Sequence, residues 1–260
     1  MAVAGIDVGS LTVKAVIVED GKILAHSIIR TSEEAEAGAK RGMEEALKSA
    51  GLAQEDIKYI VATGSGRKEV SFAQKQKTSL SCLAKGTSML FPSVRTVFDV
   101  GAETCSVLCL NERGGVEDSV GHDRCASGTG VFLESMAKLM KMSLEVMATE
   151  CLKAKARAEV SSMCAIFAEQ EVISHVHRVP PTPKNDIIAG IHGSMSVRIV
   201  GLAKRIGIKG DVALCGGVAK NVGFVKVMEE DIGSTVLVPE EPQIVAALGA
   251  ARIAQDEEGK

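Results

Sequence analysis

The chain has 260 residues, and its 30 basic and 33 acidic side chains leave a formal net charge of -3. This balance, with aromatic residues at only 3%, excludes a large basic or stacking surface for nucleic acid. No run of roughly 18 or more apolar residues is present, and residues 1–10 lack the basic start of a signal peptide. We therefore expect a cytoplasmic protein that binds neither nucleic acid nor membrane.

Apolar runs and turn signals predict a β-rich first half. Strands are predicted at 3–8, 13–18, 22–29 and 59–62, with a helix at 33–50. A second series of the same kind supplies predicted strands at 96–101 and 106–110. Each series contains a strand that runs into Asp-x-Gly, at Asp7 and about 92 residues later at Asp99. This similarity predicts a duplicated unit.

The second half of the chain is predicted to be mostly helical. Apolar residues recur at helical spacing in 129–142, 164–179 and 187–206. A short strand at 212–215, a helix from about 219, a strand at 235–238 and a helix at 244–254 complete the predicted elements.

The first Asp-x-Gly turn has the composition of a phosphate-binding loop, although neither a Walker A loop nor a GxGxxG fingerprint is present. Backbone N–H groups in such a turn attract phosphate, and hydroxyl groups and a lysine strengthen that attraction. The residues concerned are Gly9, Ser10, Leu11, Thr12, Val13 and Lys14. Asp7 can hold Mg²⁺ through water. A plain hairpin with a solvated lysine is the alternative interpretation.

Two further loops follow the same logic. Asp99 leads into Gly101-Ala102-Glu103, which would form the second half of a phosphate clamp. A later strand ends at Gly216-Gly217, followed by Val218, Lys220 and Asn221, so the backbone can approach a flat ligand closely. An ordinary turn between strand and helix explains the glycine pair alone, but three such elements in this order favour a nucleotide site.

The order of the three loops resembles that of the acetate and sugar kinase, Hsp70 and actin superfamily, whose members clamp ATP between two ribonuclease-H-like domains. More narrowly, the chain resembles the activator ATPases of 2-hydroxyacyl-CoA dehydratases and the ATPase subunits of benzoyl-CoA reductases. The resemblance rests on Gly5-Ile6-Asp7-Val8-Gly9-Ser10, Cys125-Ala126-Ser127-Gly128-Thr129-Gly130, Cys164-Ala165-Ile166-Phe167-Ala168-Glu169, Ile188-Ala189-Gly190-Ile191-His192 and Gly216-Gly217-Val218-Ala219.

The resemblance implies an α/β fold made of two ribonuclease-H-like domains, with ATP in the cleft between them. The expected domains are 1–93, onto which a C-terminal helix at 244–255 packs back, and 94–243. Asp7, Asp99 and Glu103 are expected to be catalytic with Mg²⁺. ATP or ADP would contact the three loops together with Gly128, Thr129, Gly130 and Gln243.

The resemblance also implies one 4Fe-4S cluster per homodimer, held by Cys125 and Cys164 of each subunit. Four thiolates complete such a cluster, and an isologous interface doubles each ligand. Both cysteines are predicted near helix starts, where the helix dipole stabilises negative charge. The other five cysteines, Cys82, Cys105, Cys109, Cys151 and Cys215, are expected to be ordinary, mostly buried thiols.

The implied function is ATP-driven, low-potential electron transfer from a ferredoxin or flavodoxin to an iron-sulfur enzyme that acts on an acyl-CoA. One departure bears on that enzyme: dehydratase activators carry Gly-Gly-Gln where this chain has Gly101-Ala102-Glu103. A dehydratase, a benzoyl-CoA reductase and a double-cubane-cluster protein therefore remain alternatives. A small-molecule kinase for a sugar or acetate, and a regulatory protein that binds ATP without turnover, are rivals from other classes.

Overall fold

The computed structural model describes residues 1–31, 34–122 and 126–259, which form two compact units. The first unit contains residues 1–94, 110–117 and the chain from 239 onward, and the second contains 95–109 and 118–238. Residues 110–117 are thus part of the first unit.

The described residues form the following elements in chain order. They begin with β1 (Ala2–Val8), β2 (Thr12–Glu19), β3 (Lys22–Arg30), α1 (Ala35–Ala50), β4 (Ile57–Gly64), β5 (Lys75–Gln76), α2 (Ser79–Leu90), β6 (Val94–Val100), β7 (Cys105–Leu110) and β8 (Val116–His122). They continue with α3 (Gly130–Leu139), α4 (Leu144–Cys151), α5 (Ala165–His177), α6 (Lys184–Ile206), β9 (Asp211–Cys215), α7 (Val222–Ile232), β10 (Val236–Leu237) and α8 (Val245–Glu258).

The first sheet has the strand order β3-β2-β1-β4-β5 and is covered on both faces. Strand β1 is antiparallel to β2 and parallel to β4. Because side chains alternate along a strand, Ile6 packs with α1 on one face while Val3 packs with α8 on the other. Apolar residues on both faces explain why all seven residues of β1 are buried.

The second sheet repeats the first, with the order β10-β9-β6-β7-β8. Strands β6 to β10 take the places of β1 to β5, and β6 is antiparallel to β7 as β1 is to β2. The predicted α/β class and the predicted duplication are therefore confirmed. Helix α2 and strand β8 were not predicted, because α2 is rich in Ser, Thr and Gly and β8 is largely polar and exposed.

Helix α6 forms the centre of the second unit. Its residues from Ile187 to Ser196 are all buried, so this part of the helix is covered on every side. Among the described residues, α6 is the one helix that is long and apolar enough to cross a membrane. The buried core helix of a globular protein can have the same length and composition. The most apolar window of α6 is 78% buried, as expected of a core helix.

Candidate nucleotide loops and cysteine segments

The first predicted phosphate loop is the turn between β1 and β2. The Gly9 N–H donates to the Thr12 carbonyl over 3.1 Å, which closes the turn and leaves Ser10 and Leu11 exposed at its tip. Val13 belongs to the core of the first unit and is fully buried, so its backbone is what could face a ligand. The turn therefore presents main-chain groups and the Ser10 hydroxyl to solvent.

Lys14 and Asp7 form an ion pair beneath this turn. The Lys14 Nζ lies 3.2 Å from the Asp7 Oδ2, and the two side chains are only 13% and 12% exposed. The ammonium group also lies 3.4 Å from the Thr12 carbonyl oxygen. A cation at Asp7 would share its carboxylate with Lys14, and a phosphate would draw the ammonium group away from it. The predicted Mg²⁺ site at Asp7 and the predicted phosphate contact of Lys14 therefore both depend on whether this ion pair is formed or broken.

A glycine at the end of the neighbouring strand packs closely against each Asp-x-Gly segment. Gly64 ends β4 with φ +90°, and a Cβ there would lie 2.6 Å from the Asp7 Oδ1 and would overlap the Val8 carbonyl. Gly216 follows β9 with φ +86°, and a Cβ there would lie 2.9 Å from the Asp99 Oδ1. Gly64 was missed by the sequence-based site prediction, although a strand that ends in glycine signals such a close approach.

The second predicted loop joins the start of α3 through main-chain hydrogen bonds. The Gly101 N–H donates to the Thr104 carbonyl over 2.9 Å, and Glu103 is exposed at the tip. The N–H groups of Gly130 and Val131 donate to the carbonyls of Gly101 and Ala102, each over 2.9 Å. The structure therefore brings the second loop and the Gly128-Thr129-Gly130 segment together, as the prediction of a shared site requires.

The third predicted loop forms a short 3-10 turn at Gly217–Lys220, with Val218 buried and Lys220 exposed. Asn221 does not project freely: its Oδ1 accepts from the Phe224 N–H over 2.9 Å and caps α7. Gln243 lies in the first unit just before α8, and its N–H donates to the Glu241 side chain over 3.2 Å.

Behind Asn221 lies His192 of α6, which is fully buried. Its Nδ1 is 2.9 Å from the Ile188 carbonyl oxygen, and its ring centroid is 6.4 Å from that of Phe224. Burial lowers the pKa of His192 to about 4, against the opposing hydrogen bond to the Ile188 carbonyl. The imidazole is therefore neutral and supports the third loop from within the core.

The described cysteines divide into two groups. Cys82, Cys105, Cys109, Cys151 and Cys215 are buried, as predicted, while Cys164 is half-exposed. Burial raises the pKa of the Cys82 and Cys151 thiols to about 11 and that of Cys105 to about 12. Such thiols stay protonated at neutral pH and are poor metal ligands. Cys125, the other predicted cluster ligand, lies outside the described residues.

Cys164 occupies the N-cap of α5, with extended backbone (φ -149°, ψ 141°) and no side-chain cap. An accessible thiol beside the free N–H groups of a first helical turn suits a thiolate ligand of a negatively charged group. Within residues 1–31, 34–122 and 126–259, no group of three or more His, Cys, Asp or Glu side chains could hold a metal ion.

The surface around Cys164 is apolar. Met163, Ile166 and Phe167 are 78%, 65% and 55% exposed, while α5 buries only Ala168 and Val172. Large apolar side chains clustered in this way mark interaction surfaces.

Comparisons with known proteins find relatives along nearly the whole chain. The 2-hydroxyisocaproyl-CoA dehydratase activator of Clostridioides difficile is 39% identical over 257 residues, which cover 99% of this chain and 96% of that protein. The activator of lactoyl-CoA dehydratase of Anaerotignum propionicum is 42% identical over 257 residues, covering 98% of each chain. A benzoyl-CoA reductase subunit of Thauera aromatica is 33% identical, covering 95% of this chain and 91% of that protein.

Solved structures give the same result. The activator of the 2-hydroxyisocaproyl-CoA dehydratase from Clostridium difficile, with bound ADPNP, matches with a TM-score of 0.93 and 39% identity, covering 100% of this chain and 96% of that one. A ROK family glucokinase from Streptomyces griseus has the same fold, at a TM-score of 0.58 and 11% identity over 98% and 100% of the two chains. The family model of the BadF/BadG/BcrA/BcrD ATPases matches residues 4–254. The chain therefore belongs to the BadF/BadG/BcrA/BcrD ATPase family.

Proposed function

We propose that this protein is a cytoplasmic ATPase that activates an acyl-CoA dehydratase by ATP-driven electron transfer. The observation that carries the proposal is the pairing, in one chain, of the nucleotide loops with an accessible thiol at the start of an exposed apolar helix. Two relatives named as dehydratase activators match nearly the whole chain, and the activator that resembles it in structure holds ADPNP.

The nucleotide would be held by main-chain groups and a few charges. The Gly9–Thr12 turn would donate N–H groups to phosphate, and Lys14 would neutralise charge there, while Asp7 and Asp99 would hold Mg²⁺ through water. Glu103, exposed at the tip of its loop, would orient the attacking water. ATP hydrolysis of this kind needs only positioning and charge neutralisation.

The remaining predicted contacts have different roles. The Gly128-Thr129-Gly130 segment and Gly216-Gly217 would let the backbone approach the nucleotide, while Lys220 and Gln243 would contact it through side chains. Asn221 would act mainly through its backbone, because its side chain caps α7. Val218, which is buried, would shape the loop from below.

Cys125 and Cys164 would hold a 4Fe-4S cluster shared by two subunits. Such a cluster, when bound, would accept one electron from a ferredoxin or flavodoxin and release it to the partner enzyme. Met163, Ile166 and Phe167 would then pack against a second copy of the chain, since their exposure is otherwise costly in water.

Two other partners or activities have weaker support. A benzoyl-CoA reductase subunit is among the relatives at 33% identity, so a reductase is the second candidate partner. The glucokinase likeness at 11% identity concerns the fold alone and gives no substrate pocket for a kinase.

The proposal is tested by anaerobic purification of the protein and of Cys164→Ala. We expect about four Fe per dimer in the wild type, and loss of iron with retained ATP binding in Cys164→Ala. The buried Cys151 gives the matched control, because Cys151→Ala removes a thiol of the same unit and should leave iron unchanged. Full iron content in Cys164→Ala, or a colourless wild-type monomer, would refute the proposal.

A further inference from the structure

We propose that Arg198 is a positioning residue that holds together the two segments that carry the candidate cluster cysteines. The role of the two cysteines rests on the proposed function, whereas the link between their segments rests on the contacts of Arg198. Arg198 lies on the core helix α6, outside every predicted motif.

The guanidinium group of Arg198 anchors the segment that leads into Cys164. Its Nη1 donates to the Ser162 carbonyl over 3.1 Å and to the Met163 carbonyl over 3.2 Å. The Met163 carbonyl belongs to the peptide group that joins Met163 to Cys164. Holding that peptide group fixes the point from which the Cys164 side chain projects at the N-cap of α5.

The aliphatic stem of Arg198 contacts the other segment. A Cβ placed on Gly128 would lie 3.4 Å from the Arg198 Cδ and 3.7 Å from its Nε, so the stem packs directly against this glycine. Gly128 ends the 3-10 turn Ala126–Gly128, which follows Cys125 in sequence. One side chain therefore contacts the residues just after Cys125 and the residues just before Cys164.

The position of Arg198 makes it a rigid reference for both segments. Its neighbours Ile199 and Val200 are buried in the core of the second unit, so α6 cannot shift without disturbing that core. Arginine suits the task because its planar guanidinium reaches adjacent carbonyls while its stem covers apolar surface. A lysine has a single ammonium group and would keep the charge but lose part of the geometry.

The first test measures backbone order in iron-free protein by hydrogen exchange. In Arg198→Ala we expect the amides of 158–166 to exchange about tenfold faster, since one hydrogen bond from a charged group stabilises by roughly that factor. The amides of 126–131 should also exchange faster, because the stem that packs against Gly128 is removed. Arg157→Met is the matched control: Arg157 directly precedes the second segment and pairs with Glu230 and Asp231, so its loss should loosen 158–166 alone.

A second control separates geometry from charge. Arg205→Met removes an exposed positive charge from the same helix, two turns along, and should leave exchange in both segments unchanged. Unchanged exchange in Arg198→Ala would overturn the proposal, and so would loosening of one segment only.

The second test uses reconstituted protein under anaerobic conditions. Arg198→Met should bind less iron, and its residual cluster should have a more negative midpoint potential, because a positive charge nearby favours the reduced form. Arg198→Lys should recover the potential more fully than the iron content. A wild type without iron would refute the proposed function, yet the exchange experiment would still decide whether Arg198 joins the two segments.

Discussion

At the scale of single residues, the molecule combines tight backbone approach with buried polar groups. Gly64 and Gly216 adopt positive φ so that neighbouring strands can bring their ends against Asp7 and Asp99. His192 is neutral inside the core, where its ring contacts that of Phe224. The chemistry predicted for these loops therefore depends also on Gly64 and His192, which are not among the predicted ligand contacts.

Gly216→Ala should separate backbone strain from steric overlap. Gly207 has a similar φ of +83° but nothing within 4 Å, so Gly207→Ala should lower the free energy of unfolding by about 1–3 kcal/mol through backbone strain alone. Gly216→Ala should cost a further 1–3 kcal/mol or so, because its Cβ would overlap the Val100 carbonyl. Urea unfolding of both variants gives the comparison, and equal losses would contradict the close packing of Gly216 against Val100.

His192 predicts a loss of stability in mild acid. Its pKa lies near 4 in the folded protein against an ordinary 6.5, so the unfolded chain binds the extra proton as the pH falls between these values. The free energy of unfolding should drop by up to about 1.4 kcal/mol per pH unit in this window. In His192→Gln or His192→Asn this pH dependence of the free energy of unfolding should vanish. His26→Gln is the control, because His26 is exposed on a strand and its replacement should leave the pH dependence unchanged.

At the scale of elements, glycines serve packing as well as loops. Gly249 of α8 faces α2 so closely that a Cβ there would overlap the Cys82 carbonyl and lie 2.7 Å from the Gly86 nitrogen. A Cβ on Gly5 of β1 would overlap the backbone of α8 in the same way. Helix α8 therefore packs against β1 and α2 through close backbone contacts rather than through large side chains.

Gly249→Ala should destabilise the protein even though alanine favours helices. We expect a loss of about 1–3 kcal/mol in the free energy of unfolding, since backbone has to move apart to admit the methyl group. Gly201→Ala in α6 is the matched control, because nothing lies within 4 Å of its added Cβ. That variant should gain about 0.5–1 kcal/mol, and a gain in both variants would show that α8 is not closely packed.

The sequence predicted elements with strong periodicity better than those defined by context. Strand β1 and helix α6 were predicted because long apolar runs dictate burial. Helix α2 and strand β8 were not predicted because their residues have weak propensities. Packing against α8 determines the conformation of α2, and pairing at the sheet edge determines that of β8. At the site, the loop residues could be predicted from glycine motifs, but Gly64 and Arg198 act through contacts between distant residues.

At the scale of the whole molecule, the proposed dimer requires that the exposed apolar residues of α5 pack against a second subunit. Phe167→Glu should give a folded monomer without iron, since a charge at the centre of the interface opposes association and each subunit alone offers two thiolates. Leu24→Glu is the control, because Leu24 is a 43% exposed apolar residue of the first unit. Sedimentation and iron analysis measure both effects, and a dimeric, iron-containing Phe167→Glu protein would contradict the proposed interface.

The two hydrogen bonds between the second loop and the start of α3 have an evolutionary consequence. Both run from main chain to main chain, from Gly130 and Val131 to the carbonyls of Gly101 and Ala102. Substitution of side chains in this loop therefore leaves the connection intact, because the loop supplies only carbonyl acceptors, whereas proline at residue 130 or 131 would remove a donor. Evolution can therefore exchange the side chains of Ala102 and Glu103 while the loop stays joined to the start of α3.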